Sequence, residues 1–373
     1  MRSALDVLGV RVAIESDVPD ALRGVAAEFS RFATASAEPP HVAVRLALGK
    51  PELPRLASGR RPRFLFRAGG NAVHVAGGVR YVLHRGDALT IFDLRADSAT
   101  ILAESAGALR EIAYLFVMSR VGARLDRAGR HRAHALSIAL GGRAALFLAG
   151  SGVGKTTLGL SLMARIPAAR WMADEIPILD RDLRVWPFPL PPRLVDGAPI
   201  PWPPPPLPLE RVARTKPPAK VKVALDAIAP RIASRPAPLG AVFLCSRRRG
   251  PGPTTVARAS FARALAQVAA FVVFGRDFPH TKAFWLDLGP RGLAREARVR
   301  ASRAALAARM LASVPAYDVS LSSDPEEGAA AVAEALLRAF PPDRGVGGTA
   351  ADDDERFLEG KGERPCSGPT GAI

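Results

Sequence analysis

The chain is poor in the residues that several common classes of protein are built from. It has two cysteines in 373 residues, Cys245 and Cys366. Two thiols so far apart make neither a disulfide framework nor a cysteine-based metal site. Cys245 follows the apolar run Ala241-Val242-Phe243-Leu244, the setting of a buried core thiol. Long apolar runs are also missing. The longest, Ala264 to Phe274, falls well short of the roughly 20 residues that cross a bilayer. Met1 to Val12 holds no apolar core of a secretory leader, so a cytoplasmic protein without a membrane partner is expected. Lysine is scarce, and arginine carries most of the +17 formal charge. The arginines are spread through every segment, with no helix-turn-helix signal and no aromatic-basic stripe, so a dedicated nucleic-acid surface is not expected. Anionic or phosphorylated partners suit a basic chain as well.

What is present is enough apolar material for a real core, 48% of the residues, and a length that suggests about two domains. Residues 1–128 read as a small α+β domain. Val10 to Glu15 and His41 to Leu48 have strand patterns, and Asp20 to Ala33 is an amphipathic helix. Arg63 to Glu104 is a meander cut by Gly69-Gly70, Gly77-Gly78 and Arg85-Gly86-Asp87. Ala106 to Leu125 is a long helix with Leu109, Ile112, Phe116 and Val117 on one face. His74 and His84 fall in predicted strands with no ligand spacing around them, so both read as structural. Residues 129–340 carry the chemistry. Residues 341–373, rich in Gly, Asp, Glu and Pro and without periodicity, are expected to be a disordered tail.

The second segment is organised around Ala149-Gly150-Ser151-Gly152-Val153-Gly154-Lys155-Thr156-Thr157. An apolar run precedes it and a helical pattern follows it, the context that a phosphate-binding P-loop requires. The glycines let the backbone curl so that its N–H groups face inward, and the start of the following helix adds its positive end. Gly150, Ser151, Gly152, Val153, Gly154, Lys155, Thr156 and Thr157 form the expected nucleotide-binding stretch. Lys155 reaches the β- and γ-phosphates of ATP, and the Thr156 hydroxyl ligates Mg²⁺. Ala149 stands where the motif has its first glycine. Upstream, His131 to Leu140 and the P-loop strand are joined by Gly141-Gly142, which predicts a tight hairpin and an antiparallel neighbour. Downstream, Asp174-Glu175 arrives about one helix after Lys155. A return strand brings the pair back to the phosphates, where a carboxylate can hold Mg²⁺ or take a proton from an attacking hydroxyl.

Trp186 to Pro218 is dense in proline, so neither a helix nor a central strand is expected there. It reads as a long extended loop near the site. Its cations include Arg193, Arg211, Arg214 and Lys216, with Lys220 and Lys222 just beyond; the three lysines stand out as phosphate contacts. Strands are expected over Leu239 to Cys245, Phe284 to Leu288 and Val314 to Leu321, and helices over Phe261 to Val273, Leu293 to Leu311 and Glu326 to Phe340.

His134, the P-loop, the acidic pair, Pro187-Phe188-Pro189-Leu190-Pro191 and Pro315-Ala316-Tyr317 together resemble the HPr serine kinase/phosphorylase family. The resemblance covers residues 130–338 and is greatest to the divergent members that accompany peptide-modification gene clusters. It implies an α/β fold like that of phosphoenolpyruvate carboxykinase, with a mixed sheet, preceded here by the small α+β domain. It further implies Asp174 as catalytic base, Glu175 with Thr156 at the metal, and His134 close to the phosphates and the acidic pair. The family's usual acidic pair is Asp-Asp, so Glu175 is a departure. The expected activity is ATP- and Mg²⁺-dependent phosphorylation of a hydroxyl on a peptide or protein acceptor. A small-molecule kinase and a non-catalytic ATP-binding regulator stay open as alternatives, as does a homo-oligomer.

Overall fold

Short strands with paired glycines between them build the first sheet. The computed structural model describes residues 1–198, 202, 209–212, 219–275, 284 and 288–341. The first eight strands are β1 (Arg2–Val7), β2 (Val10–Ser16), β3 (Val42–Leu48), β4 (Arg63–Ala68), β5 (Asn71–Ala76), β6 (Val79–His84), β7 (Ala88–Asp93) and β8 (Ser98–Ala103). They lie in the order β1-β2-β3-β8-β7-β6-β5-β4. The β5–β6 turn uses Gly77 and Gly78, both at positive φ, as the hairpin twist requires. Two helices, α1 (Pro19–Glu28) and α2 (Ala106–Arg127), cover one face. Their Leu22, Val25, Phe29, Leu109, Phe116 and Val117 are buried in one core with Val12, Val44, Leu46 and Ile101. Ser105 caps α2, its hydroxyl accepting from the Ala108 amide at 3.2 Å.

Two details differ from the sequence expectation. The helix expected over Asp20 to Ala33 stops at Glu28 and tightens into a 3-10 turn, Ser30–Phe32, which turns Phe32 into the same core as Phe29. Strand β1 was not anticipated. Its hairpin to β2 turns through Leu8 and Gly9, both at positive φ, and leucine carries no signal for that conformation.

The second sheet is mixed. It contains β9 (His131–Arg132), β10 (Ala135–Leu140), β11 (Arg143–Leu148), β12 (Arg170–Ala173), β13 (Ile178–Leu179) and β14 (Arg184–Trp186). A separate three-stranded sheet follows, β15 (Arg193–Val195), β16 (Leu209–Arg211) and β17 (Lys220–Val223), in the order β15-β17-β16. The long β18 (Ala237–Arg247), with β19 (Thr255–Arg258) and β20 (Ala316–Leu321), completes the second sheet. Helices α3 (Lys155–Arg165), the short α4 (Leu225–Ile228), α5 (Phe261–Val268), α6 (Pro290–Ser313) and α7 (Pro325–Ala339) follow in chain order. Side chains of α3 and α7 share a core with Leu136, Ile138, Phe147 and Phe243, while α5 and α6 share another with Leu146, Leu148 and Leu244. Alternate residues of β11 thus enter opposite cores, the pattern of a strand covered on both faces. Cys245 is buried, and burial pushes its thiol up to about 12. Helix α5 runs on into a π turn, Ala269–Val273, within the expected helical span.

The proline-dense segment is not loop throughout. Arg193–Val195 and Leu209–Arg211 pair with β17, so strand pairing continues where the prolines fall outside the short ladders. Residues 285–287 of the expected strand, Arg214, Lys216 and the tail from 342 onward lie outside the described residues. Among the described residues, no helix is long and apolar enough to cross a membrane.

A buried ion network ties α2, β9 and α6 together. Asp126 accepts from Arg132 at 2.9 Å and from Arg303 at 2.8 and 2.9 Å. His131 contacts Asp126 at 3.2 Å and Ser302 at 2.8 Å. The order Asp, His, Ser is that of a nucleophile relay, but His131 is 0% exposed and both Asp126 oxygens are held by guanidinium groups. It works as a brace. Burial alone would raise the Asp126 carboxyl; Arg132 and Arg303 beside it outweigh burial and hold it well below the usual carboxylate range. A depressed folded-state pKa stabilises the protein above the unfolded value of about 4, and this contribution shrinks as pH falls below it. Asp126→Asn, which strands two buried guanidiniums, is expected to cost about 3–5 kcal/mol at neutral pH. Urea melts should show the gap from the parent narrowing below about pH 4; a pH-independent gap would refute the ionic account.

Candidate functional site

The site lies where three strand ends meet. Strands β10 and β11 form an antiparallel hairpin, from Leu140 opposite Arg143 to Ala135 opposite Leu148. Gly141 (φ 55°) and Gly142 (φ 70°) make its turn, in the left-handed region where glycine is least strained. On its other edge β10 pairs antiparallel with β12, Ser137 opposite Ala173. On the far side of β11, β18 runs parallel. This register leaves His134, Ala149 and Asp174 as the next residues beyond three adjacent strand ends.

Lys155 opens α3. Its Nζ donates to the carbonyls of Ala149 (2.8 Å) and Gly150 (3.1 Å) and lies 3.0 Å from His134 Nε2. His134 is not in the strand as expected. It sits in a bend just before β10, because the chain must cross there from β9, which pairs with β13, to β10. Its amide donates to Phe271 O at 3.2 Å, and its ring lies 6.0 Å from that of Phe271. Gly152 (φ 82°) and Gly154 (φ 105°) take conformations that side chains disfavour. No side chain caps α3, so its first-turn N–H groups have no such acceptor. Ser151, Val153 and Thr157 complete the loop and first turn. At the other end, the Arg231 guanidinium donates to the carbonyls of Met163 (2.6 Å) and Ala169 (3.1 Å), capping the helix.

Helix α3 approaches the sheet closely at Gly159, where a Cβ would come within 2.8 Å of Trp171 and 2.9 Å of Leu136. One turn earlier, Thr156 Oγ1 donates to Asp174 Oδ2 at 2.6 Å. Thr156, expected with Glu175 at the metal, is thus in direct contact with the expected base, Asp174. The other oxygen, Oδ1, accepts from the Glu175 amide at 3.0 Å. Glu175 has φ 68°, an uncommon left-handed conformation for a residue with a side chain.

That bend gives the two acids different surroundings. Asp174 is buried, and burial, reinforced by the charge of Glu175, raises its carboxyl above the usual range against the pull of the Thr156 hydrogen bond and Lys155. For Glu175, burial acts upward, but the positive charges of Arg193 and Lys220, with Lys155 a smaller contributor, hold it below the usual range. The donors here are one hydroxyl and two carboxylates, the hard oxygen set that suits Mg²⁺, which takes one or two protein carboxylates and leaves its other positions to water and phosphate.

Two residues absent from the sequence expectation complete the surroundings. Glu28, on the last turn of α1, is buried and accepts from Arg193 at 2.8 Å and Lys222 at 3.1 Å. Tyr114 of α2 lies under the Arg193 guanidinium, 4.4 Å from ring centroid to Cζ. Neither belongs to a motif. The usable signal was Glu28 itself, an acid next to the apolar stripe Leu22, Val25 and Phe29. Comparison with protein-family models finds no match, and comparison with curated proteins finds none.

The Thr156–Asp174 bond is testable without a substrate. Thr156→Val removes the hydroxyl donor to a buried carboxylate at nearly constant volume, and should cost about 1.5–3 kcal/mol in a denaturant melt. Thr156→Ser should recover most of that. Equal stability of all three proteins would mean that the bond contributes nothing.

Proposed function

We propose that the protein is an ATP- and Mg²⁺-dependent kinase that transfers the γ-phosphoryl group to a hydroxyl, the acceptor being a Ser or Thr of a peptide or protein. The observation that carries this reading is the meeting of Lys155, Thr156 and Asp174 at the start of α3, with Thr156 and Asp174 in direct contact at 2.6 Å. The glycine-rich turn and the uncapped start of α3 suit a polyphosphate. The antiparallel hairpin into the P-loop strand, with a parallel strand on its other side, agrees with the phosphoenolpyruvate-carboxykinase-like fold implied by the resemblance to HPr kinases. The resemblance is also the source of the peptide or protein acceptor, and the reading implies a cytoplasmic protein with access to ATP.

Phosphoryl transfer asks mainly for alignment and charge neutralisation. Residues Gly150 to Gly154 wrap the phosphates with backbone N–H groups, and Lys155 turns from its loop carbonyls to the β- and γ-oxygens. Thr156 and Glu175 would hold Mg²⁺, which when bound would neutralise charge on the phosphate oxygens. Asp174 takes the proton of the acceptor hydroxyl as its oxygen bonds to the γ-phosphorus and the bond to the β–γ bridging oxygen breaks, releasing ADP. A raised carboxyl suits that role, since a base works best with a pKa near the operating pH. Glu175, held ionised, suits the metal.

Calorimetry should show Lys155→Ala weakening ATP binding by at least about tenfold, or roughly 1.4 kcal/mol. Unchanged affinity would remove the P-loop from the reading. In transfer of labelled phosphate from ATP to a Ser/Thr peptide library, Asp174→Asn should keep ATP affinity and fold while losing about 10²- to 10⁴-fold in rate. Glu175→Gln should lose activity that added Mg²⁺ partly restores. Transfer by Asp174→Asn at the parent rate would place the base elsewhere. A parent that binds ATP and transfers none to peptides or metabolites would favour a regulatory role.

A further inference from the structure

Strands β11, β18 and β20 run parallel, and β18 outlasts β11 at the end where the P-loop begins. Leu148, the last residue of β11, stands opposite Leu244, so β18 continues through Cys245, Ser246 and Arg247 beside the loop. At about 3.3 Å per residue, Arg247 lies about 10 Å past the end of β11. Phe243 and Cys245 enter the core that holds α3, and side chains alternate along a strand, so Arg247 points to the α3 side. Leu321, its partner on β20, belongs to the same core.

The turn after β18 is held at both ends. The Arg248 amide donates to Leu321 O at 2.8 Å, and its guanidinium folds back to the carbonyls of Pro251 (3.3 Å) and Pro253 (3.2 Å). Beyond the turn, Glu327 of α7 accepts from the Thr254 amide at 2.9 Å and from its hydroxyl at 2.8 Å. Arg248 thus serves the turn itself. Arg247 is exposed, and among the described residues its guanidinium makes no hydrogen bond or ion pair. Arg249 is exposed as well, but it lies past the strand, where no register fixes it.

Asp174 follows β12, and the sheet runs in the order β12-β10-β11-β18. Three strand spacings of about 4.8 Å set Arg247 about 14 Å across the sheet from Asp174, with the P-loop between them. A nucleoside triphosphate has its terminal phosphate at one end and its base at the other. With the γ-phosphate at Asp174 and the β-phosphate in the P-loop, the base extends toward β18. Ligands of open α/β sheets lie outside the carboxyl ends of the parallel strands, which is where Arg247 stands. A guanidinium is planar, weakly hydrated and stacks on aromatic faces. We propose that Arg247 is a nucleotide-binding residue that stacks on the adenine ring, at the end of the site opposite Asp174. The contact rests on the kinase reading and deepens it by assigning the nucleoside end.

The test compares ATP, ADP and inorganic tripolyphosphate, all with Mg²⁺, by calorimetry on the full chain. Tripolyphosphate carries the phosphate chain without the nucleoside. Arg247→Ala removes the guanidinium; Arg247→Lys keeps the charge without the plane; Arg60→Ala removes an exposed arginine elsewhere. Thermal melts check that all are folded. Arg247→Ala is expected to bind ATP and ADP about fivefold more weakly, with tripolyphosphate changed less than about twofold. Arg247→Lys should recover little of the loss, and Arg60→Ala should match the parent. A loss shared equally by tripolyphosphate, full recovery in Arg247→Lys, or no loss at all overturns the stacking contact while leaving the P-loop reading intact. A parent that binds none of the three ligands overturns both.

Discussion

The register of β10 is the constraint on which the site depends. This strand is hydrogen-bonded to β11 on one edge and β12 on the other. A slip of one residue on either edge would reverse every side chain and separate the three strand ends. The register against β11 is set by a two-residue turn that only residues tolerant of positive φ can make, here Gly141 and Gly142. The register against β12 is set by bulk. Trp171 and Leu136 lie against Gly159 of α3, so the helix can sit close only if both strands present those side chains to it. Two unrelated devices, a turn and a packing notch, therefore bring Lys155, His134 and Asp174 to one place.

The first sheet contributes to the same arrangement through its helices. The chain after the acidic pair buries Ile176, Ile178, Phe188 and Leu190 in the core formed by α1 and α2. Glu28 adds the polar part of this attachment by binding Arg193 and Lys222. A buried carboxylate is tolerable only when it is paired, and one carboxylate shared by several cations gives geometry more than net stability. Residues Met1–Phe340 form one compact unit, and the loop that carries the acids is held from both sides within it.

Much of this was legible in the sequence because it rests on local rules. The P-loop, the glycine hairpin, the meander and the long helix α2 follow from spacing and turn chemistry. The return of Asp174 to Thr156 follows from one helix and one strand of connection. What was not legible depends on distant partners. The β1–β2 hairpin turns through Leu8 at φ 54°, against leucine's own preference. The three-stranded sheet assembles across prolines because its strands are only three or four residues long. Glu28 and Arg193 are 165 residues apart, and no period or motif links them. The direct Thr156–Asp174 bond was not anticipated, and neither was the positive φ of Glu175, which a non-glycine residue does not announce.

That angle also separates the two acids. Adjacent carboxylates in one buried place would repel, and one of them would have to be neutralised. The left-handed turn at Glu175 costs of order 1–3 kcal/mol and persists only where the surroundings determine it. Here Asp174 Oδ1 accepts the Glu175 amide, and the positive charges of Arg193 and Lys220 favour the ionised Glu175 carboxylate. The result is an acid whose carboxyl is raised next to one whose carboxyl is lowered. Environments that push two titratable groups apart are how one site obtains a proton acceptor and a permanent charge together. In the proposed transfer, Asp174 and Glu175 divide those roles. The division does not require Asp at both positions, since a proton acceptor and a permanent charge are different tasks.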